Sequence, residues 1–262
     1  MKYFDSHAHY WDARFVTETE GGVERLLNTI LKDNVSYIVN VGTSIDTSRA
    51  AIEQARRYPN MYAAVGIHPG DASGLPLEET LAELEKLFVP ENKVVALGEI
   101  GLDYHYLPYD KGEQMAFFTA QMELAERCRL PVVIHDREAH GDSFDVARKY
   151  PNVRGVFHSY SGSAEMAKQL VDIGYMISFS GTVSFKNARS VKEAATALPR
   201  ESVMIETDAP YLTPHPHRGK LNHSGYLAYT CAALAEVWGI SAEETARITE
   251  ENAKRFFGIC GE

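Results

Sequence analysis

The run Tyr3-Phe4-Asp5-Ser6-His7-Ala8-His9 opens the chain and closes on two histidines. Read as a β-strand, it sends side chains two apart out of the same face. Both imidazoles then point the same way, a short distance apart, in a geometry suited to a metal ion. Two neighbouring histidines are by themselves commonplace on surfaces and in packed interiors. Their meaning depends on whether acids and imidazoles end other strands in the same manner.

Seven further strand-like runs follow: Val35–Val41, Tyr62–His68, Lys93–Glu99, Pro131–His135, Val153–His158, Gly174–Ser180 and Ser202–Asp208. Helical patterns separate them, over Val23–Leu31, Thr47–Arg57, Leu77–Phe88, Glu113–Arg127, Ser143–Lys149, Ala164–Ile173 and Ala188–Leu198. The stretches VSYIVNV, VVALGEI and PVVIH are apolar on both faces, as parallel strands covered on two sides are. Eight strands alternating with helices predict one (β/α)8 TIM barrel, a single domain over residues 1–262. An open doubly wound sheet is the alternative. It usually carries a Gly-rich phosphate turn after its first strand, where this chain has HAHYWD. After the eighth run come a Pro-rich loop, Pro210 to Pro216, and two more helices. The last is expected to start at Ser241, with Glu244 completing a capping box, and to stop at Gly258.

The chain has 262 residues, of which 45% are hydrophobic and 24% charged, the balance of an ordinary soluble globular protein. No apolar run approaches the roughly 20 residues of a membrane helix. No charged-then-apolar leader precedes the first strand, and a cytoplasmic location is expected. Cys128, Cys231 and Cys260 form no CxxC pair and read as free thiols of a reducing compartment. No protein partner is evident. The formal net charge of −10 argues against a general nucleic-acid-coating surface but leaves room for a local grip on phosphate. The stretch Ala209–Ala235 contains no Asp or Glu and carries Arg218, Lys220, His215, His217 and His223. A chance neutral loop and helix accounts for it equally well.

Active sites of such barrels form at the C-terminal ends of the strands. The predicted strands end in His7 and His9, then His68, Glu99, His135, His158 and Asp208. Five of the ten histidines therefore close strands, a clustering that points to a metal centre. Four imidazoles and two carboxylates exceed the three protein ligands usual for a single catalytic zinc, so two divalent cations are expected. Zinc, magnesium and manganese all suit this mixed set. A carboxylate can bridge two ions about 3.5–4 Å apart, with a water between them activated as nucleophile. Strand four has no lysine at its end, which leaves Glu99 as the bridge.

Nine motifs run nearly end to end: DSHAH (5–9), VGIHP (65–69), GEIGLDY (98–104), PVVIHDREA (131–139), FHSYSGS (157–163), YMISFSG (175–181), ETDAPYLTP (206–214), RGKLN (218–222) and ENAKRFFG (251–258). In this order they resemble the TatD family of metal-dependent deoxyribonucleases. The resemblance implies a TIM barrel with two metal ions and a 3′–5′ exonuclease-like activity on DNA, single-stranded or at 3′ ends. It implies that His7, His9, Glu99 and Asp208 hold one ion. Glu99, His135 and His158 hold the other, with Glu99 bridging. Asp208 also becomes the group that takes a proton from the attacking water. His68 falls in a family motif and is expected to face the substrate phosphate. The chain departs from the family pattern at His223-Ser224, where an acid and a proline are usual, and at Ser159-Tyr160, where Cys-Phe is common. Both departures lie at the rim and bear on substrate preference.

Other residues are read more broadly. Arg137 is a candidate to orient a phosphate through its planar fork, and Arg218 and Lys220 to contact a nucleic-acid backbone; each reads equally well as a surface charge. Glu206 shares a strand face with Asp208 and, buried beneath the metals, needs a partner. Tyr10, Trp11, Tyr104 and Tyr106 follow strand ends, where stacking on bases competes with ordinary packing, the commoner role. The alternative functions are a small-molecule amidohydrolase or lactonase on the same scaffold, and a non-catalytic metal or nucleic-acid-binding protein.

Overall fold

The computed structural model describes residues 1–259, so the expected thiol at Cys260 lies outside the described residues. Its strands are β1 (Tyr3–Ala8), β2 (Val35–Val41), β3 (Met61–Val65), β4 (Val94–Asp103), β5 (Val132–Arg137), β6 (Gly155–Phe157), β7 (Met176–Phe179) and β8 (Val203–Ile205). They pair in chain order, every pair parallel. The helices are α1 (Arg14–Thr17), α2 (Gly22–Asp33), α3 (Ile45–Arg57), α4 (Leu77–Glu85), α5 (Lys111–Cys128), α6 (His140–Ala147), α7 (Ala164–Asp172), α8 (Arg189–Ala197), α9 (Leu227–Trp238) and α10 (Ala242–Phe257). The expected (β/α)8 barrel is the observed one.

Several boundaries differ from the sequence reading. β3, β6 and β8 stop early, so His68, His158 and Asp208 stand in loops just past the strand ends. β4 instead runs on through Gly101 to Asp103. At α10, Ser241 Oγ accepts from the Glu244 amide at 3.1 Å. The Glu244 carboxylate, however, turns outward to Arg247 at 2.7 Å, which leaves half of the capping box. Gly258 ends the helix at φ 68°, as a left-handed cap does.

Two apolar layers hold the barrel together. Every strand contributes to an inner cluster: Phe4, Val39 and Val41, Ala64, Ala96, Val133, Val156, Met176 and Met204. Phe256 and Phe257 at the end of α10 join that cluster, with Phe257 stacked on Phe4 at 5.9 Å. Asn252 fastens α10 there, donating to the carbonyls of Arg200 at 2.8 Å and Val203 at 2.7 Å. The ENAKRFFG motif therefore stoppers the barrel beneath the strand starts. A larger outer cluster lies between strands and helices.

Closure from β8 back to β1 is the weakest seam. It rests on one parallel bridge, Ala8 to Ala209. Two backbone bonds flank it, His9 N to Ala209 O at 2.7 Å and Asp208 N to His7 O at 2.9 Å. The buried Asp5 carboxylate supplies the rest. It accepts from the Thr207 amide at 2.9 Å, the Thr207 hydroxyl at 2.6 Å and the His7 amide at 3.3 Å. Burial pushes the Asp5 carboxyl up to about 7, against the lowering effect of its hydrogen bonds from Ser224 and Thr207.

Asp5→Ala strands three buried donors, and each orphaned group costs about 1–3 kcal/mol. At about 2–4 °C per kcal/mol for a domain of this size, the melting midpoint of metal-free protein should fall by about 6 °C or more. Asp5→Asn keeps an acceptor for the amides and should lose less than half as much. Folded Asp5 keeps its proton between about pH 4 and 7 while the unfolded chain releases it, so its contribution to stability falls as pH rises through that window. The midpoint of Asp5→Asn relative to wild type should accordingly climb from pH 4 to 7. An unchanged difference across that range would contradict this role.

Candidate metal centre

Strict alternation along β1 would put Ala8 on the same face as Phe4. The structure breaks it. Phe4 belongs to the inner cluster while Tyr3 and Ala8 both pack in the outer one, and the pairing with β2 is irregular between Asp5 and Ala8. This irregularity turns His7 and His9 together into the barrel mouth, their Nε2 atoms 3.1 Å apart. β4 does the same. Its pairing shifts between Leu97 and Ile100, and Glu99 enters the mouth although Ala96 lies in the inner cluster. Asp208 sits at φ 56°, a left-handed conformation that Asp tolerates better than most residues, and this aims its carboxylate at the two histidines.

Two donor groups result. In the first, Asp208 Oδ1 lies 3.7 Å from His7 Nε2 and 3.3 Å from His9 Nε2. Glu99 Oε2 completes it, 3.3 Å from His7 Nε2 and 3.6 Å from His9 Nε2. In the second, Glu99 Oε1 lies 2.8 Å from His135 Nδ1 and 2.9 Å from His158 Nε2, and those nitrogens are 3.3 Å apart. Bonds of about 2.0–2.2 Å at tetrahedral angles put neighbouring ligand atoms about 3.4 Å apart, so both groups have the spacing of a metal shell. Glu99 turns one oxygen to each.

Buried partners fix the imidazoles from behind, the usual arrangement around metal ligands. His9 Nδ1 donates to the Val41 carbonyl at 2.7 Å, an acceptor it shares with Trp11 Nε1. His158 Nδ1 meets Glu206 Oε1 at 3.2 Å, which gives the buried Glu206 the partner that its position demanded; Glu206 also accepts from the Ser159 amide at 2.8 Å. His135 Nε2 meets Asp103 Oδ2 at 3.0 Å. Glu99, Gly101 and Asp103 lie at alternate positions of β4, beside His135. A Cβ on Gly101 would meet the His135 carbonyl oxygen at 2.0 Å, so only glycine lets the two strands close up there. Asp103 was not singled out in the sequence. The signal was present, since a strand continued past Glu99 with period two reaches it.

Charge is balanced by proximity. Burial alone would raise Glu99, yet the imidazoles of His158, His68 and His7 hold it well below the usual carboxylate range. Asp208 is lowered likewise, burial being outweighed by His9 and its neighbours. Burial works to strip protons from His9, His135 and His158, but the facing carboxylates outweigh it and raise all three. Cations in place of those protons satisfy the same carboxylates, which is how this donor set fits metal ions.

His68 caps a short turn. Its Nδ1 accepts from the Gly70 amide at 2.9 Å, which puts the ring N–H on Nε2, 3.6 Å from Glu99 Oε1. Burial, then the neighbouring His135, pushes its pKa down to about 3, so it is a neutral donor facing the mouth. Arg137 ends β5, and its Nη1 donates to the Tyr106 hydroxyl at 2.9 Å. Arg218 and Lys220 are both exposed, and Arg218 lies over the Phe185 ring at 4.2 Å. Among the described residues neither hydrogen-bonds the donor cluster. Tyr10 is buried, and its hydroxyl meets Ser224 Oγ at 2.7 Å. Tyr104 stacks on Tyr109 at 5.0 Å, while Tyr106 is exposed. No helix among the described residues is long and apolar enough to cross a membrane.

Comparison with known proteins gives the family and the fold. A family described as TatD related DNase matches residues 4–258. The chain is 41% identical to the uncharacterized metal-dependent hydrolase YabD of Bacillus subtilis over 98% of this chain and 99% of that protein. It is 38% identical to the uncharacterized metal-dependent hydrolase TatD of Mycobacterium tuberculosis over 97% of each. Among solved structures, the TatD homolog YJJV of Escherichia coli superposes with a TM-score of 0.90 at 28% identity, over 98% of both chains. With its motifs matched from one end to the other, the chain belongs to the TatD-related DNase family and is a metal-dependent hydrolase.

Proposed function

We propose that this enzyme hydrolyses phosphodiester bonds of DNA, with single strands or 3′ ends as substrate and removal of nucleotides from the 3′ end. The observation that carries the reading is Glu99, whose two oxygens face two separate donor groups 2.8–3.6 Å away. His7, His9, Glu99 and Asp208 would hold one divalent ion, and Glu99, His135 and His158 the other; zinc, magnesium and manganese suit the set. Bound there, two such ions would lower the pKa of a water and neutralise the phosphate oxygens. Asp208, ionised and open to the mouth, is the group to take the proton of the attacking water. His68, neutral with its N–H turned inward, donates to a non-bridging phosphate oxygen. Arg137, Arg218 and Lys220 extend the grip along the strand, Arg137 nearest the centre. The free thiols Cys128 and Cys231 suit a reducing cytoplasm.

One feature favours a second reading, a lactonase or amidohydrolase acting on a small neutral molecule. Asp103, Asp110 and Glu113 line a pocket of about 180 Å³ beside His68, and carboxylates there oppose a polyanion.

Metal-free protein should leave an end-labelled single-stranded oligonucleotide intact, and divalent ions should restore cleavage from its 3′ end. Asp208→Asn and His135→Ala should each lose at least about 100-fold in rate, the scale of a removed catalytic group. Cleavage that survives thorough chelation would overturn the reading, as would turnover of lactones or amides in place of DNA. A second outcome concerns His135. Asp103→Asn removes the carboxylate behind it and should weaken binding of one of two ions about 10–100-fold, leaving the other unchanged, by calorimetric titration of metal-free protein. Equal weakening of both ions would count against the division of ligands drawn here.

A further inference from the structure

We propose that Tyr106 is a stacking platform for the nucleobase adjoining the cleaved phosphate, backed by Arg137. The proposal rests on the phosphodiesterase reading and assigns a recognition role to the loop that follows β4.

Of the four aromatic residues that follow the first and fourth strands, the structure sets one apart. Tyr10 is buried, Trp11 is committed to the Val41 carbonyl, and Tyr104 is stacked on Tyr109 with its hydroxyl on Asp142 at 2.8 Å. Tyr106 is 65% exposed, and its neighbour Leu107 is 81% exposed. A lone exposed ring is unremarkable on a surface. Its placement is what matters. Tyr106 lines a pocket of about 180 Å³ together with His68, Asp103, Leu107 and Pro108. His68 and Asp103 are the two residues of that pocket that also face the donor groups, through Glu99 and His135.

The ring is held in place relative to the centre. Asp103 Oδ1 accepts from the amides of His105 at 2.9 Å and Tyr106 at 3.4 Å, while Oδ2 of the same carboxylate takes His135 Nε2. The Arg137 guanidinium lies over the Tyr106 ring at 4.7 Å and donates to its hydroxyl. One short path thus runs from a metal-facing imidazole to the platform. Asp103, Asp110 and Glu113 make the pocket wall anionic. A second phosphate is repelled there, whereas a flat neutral base meets a ring on which it can stack without regard to sequence.

The test is a double cycle between ring and base. Single-stranded oligonucleotides carrying an abasic tetrahydrofuran residue at successive positions around the cleaved bond are compared with intact DNA by kcat/KM. In the wild-type enzyme one position should show a loss of about 5–100-fold, the range of a single base–aromatic stack. Tyr106→Ala should lose a similar factor on intact DNA and show no further penalty at that abasic position. Tyr106→Phe, which keeps the ring, should retain the penalty. Anisotropy of labelled DNA on the Asp208→Asn background should show the same coupling in affinity, and an unchanged melting midpoint of Tyr106→Ala excludes unfolding. Independent, multiplying penalties, or a Tyr106→Ala enzyme within twofold of wild type on intact DNA, would overturn the platform alone. A wild-type enzyme that cleaves no oligonucleotide would overturn the phosphodiesterase reading and the platform with it.

Discussion

The closure of the barrel at β1 and β8 is the constraint on which the centre depends. β8 is three residues long and meets β1 through a single bridge. A buried carboxylate, Asp5, takes the place of the missing ladder by gripping Thr207. His7 and His9 lie on one side of this seam and Asp208 on the other. Bringing the seam together and assembling the first donor group are therefore one event. An open sheet of the same sequence would keep Glu99, His135 and His158 on neighbouring strands, but would separate Asp208 from the histidines it faces.

The second constraint is electrostatic. Glu99, Asp103, Asp208 and Glu206 converge on the imidazoles of His7, His9, His68, His135 and His158, where most of these groups are buried. Taking such groups out of water is costly unless each is paired, and removing one member of a buried pair leaves an uncompensated charge. The arrangement answers this by sharing: Glu99 serves both donor groups, and Asp103 serves His135 and two loop amides. The polar mouth stands opposite a barrel end closed by the apolar inner cluster and the two phenylalanines of α10.

The sequence made the alternation and the donor set legible because both are periodic. Strand and helix alternate along the chain, and histidines or acids mark the ends of six of the eight predicted strands. What it concealed was local irregularity. A strict two-residue repeat predicts His7 and His9 on one face, as found, but not that they share the interior with Phe4. Phe4, in the inner cluster, and the histidines reach the barrel interior only because the pairing slips between Asp5 and Ala8. The strand expected over Lys93–Glu99 stops short, since Gly101 lets β4 continue against His135 as far as Asp103. That misreading hid Asp103. Half of the capping box at α10 failed for a simpler reason, since exposed Glu244 has a better partner in Arg247 than in a backbone amide.

Residues proposed to face the substrate were hardest to read because loops carry no periodic signal. Arg218 and Lys220 stood out by the lack of acids around them, but that stretch is largely occupied with packing. His217 stacks on Tyr226 at 4.5 Å, and Arg218 covers Phe185. Charge composition finds a region without saying which side chains are already engaged. Tyr106 carried no such signal, and only its exposure beside residues that face the donor groups distinguishes it from Tyr10 and Tyr104. The useful criterion at a barrel mouth is therefore the set of groups left unengaged after packing and hydrogen bonds are satisfied. Of the residues singled out from sequence, that criterion favours the inward N–H of His68, and Tyr106, although Arg137 lies over its ring and bonds its hydroxyl, still leaves 65% of its surface exposed. Both line the pocket beside Asp103.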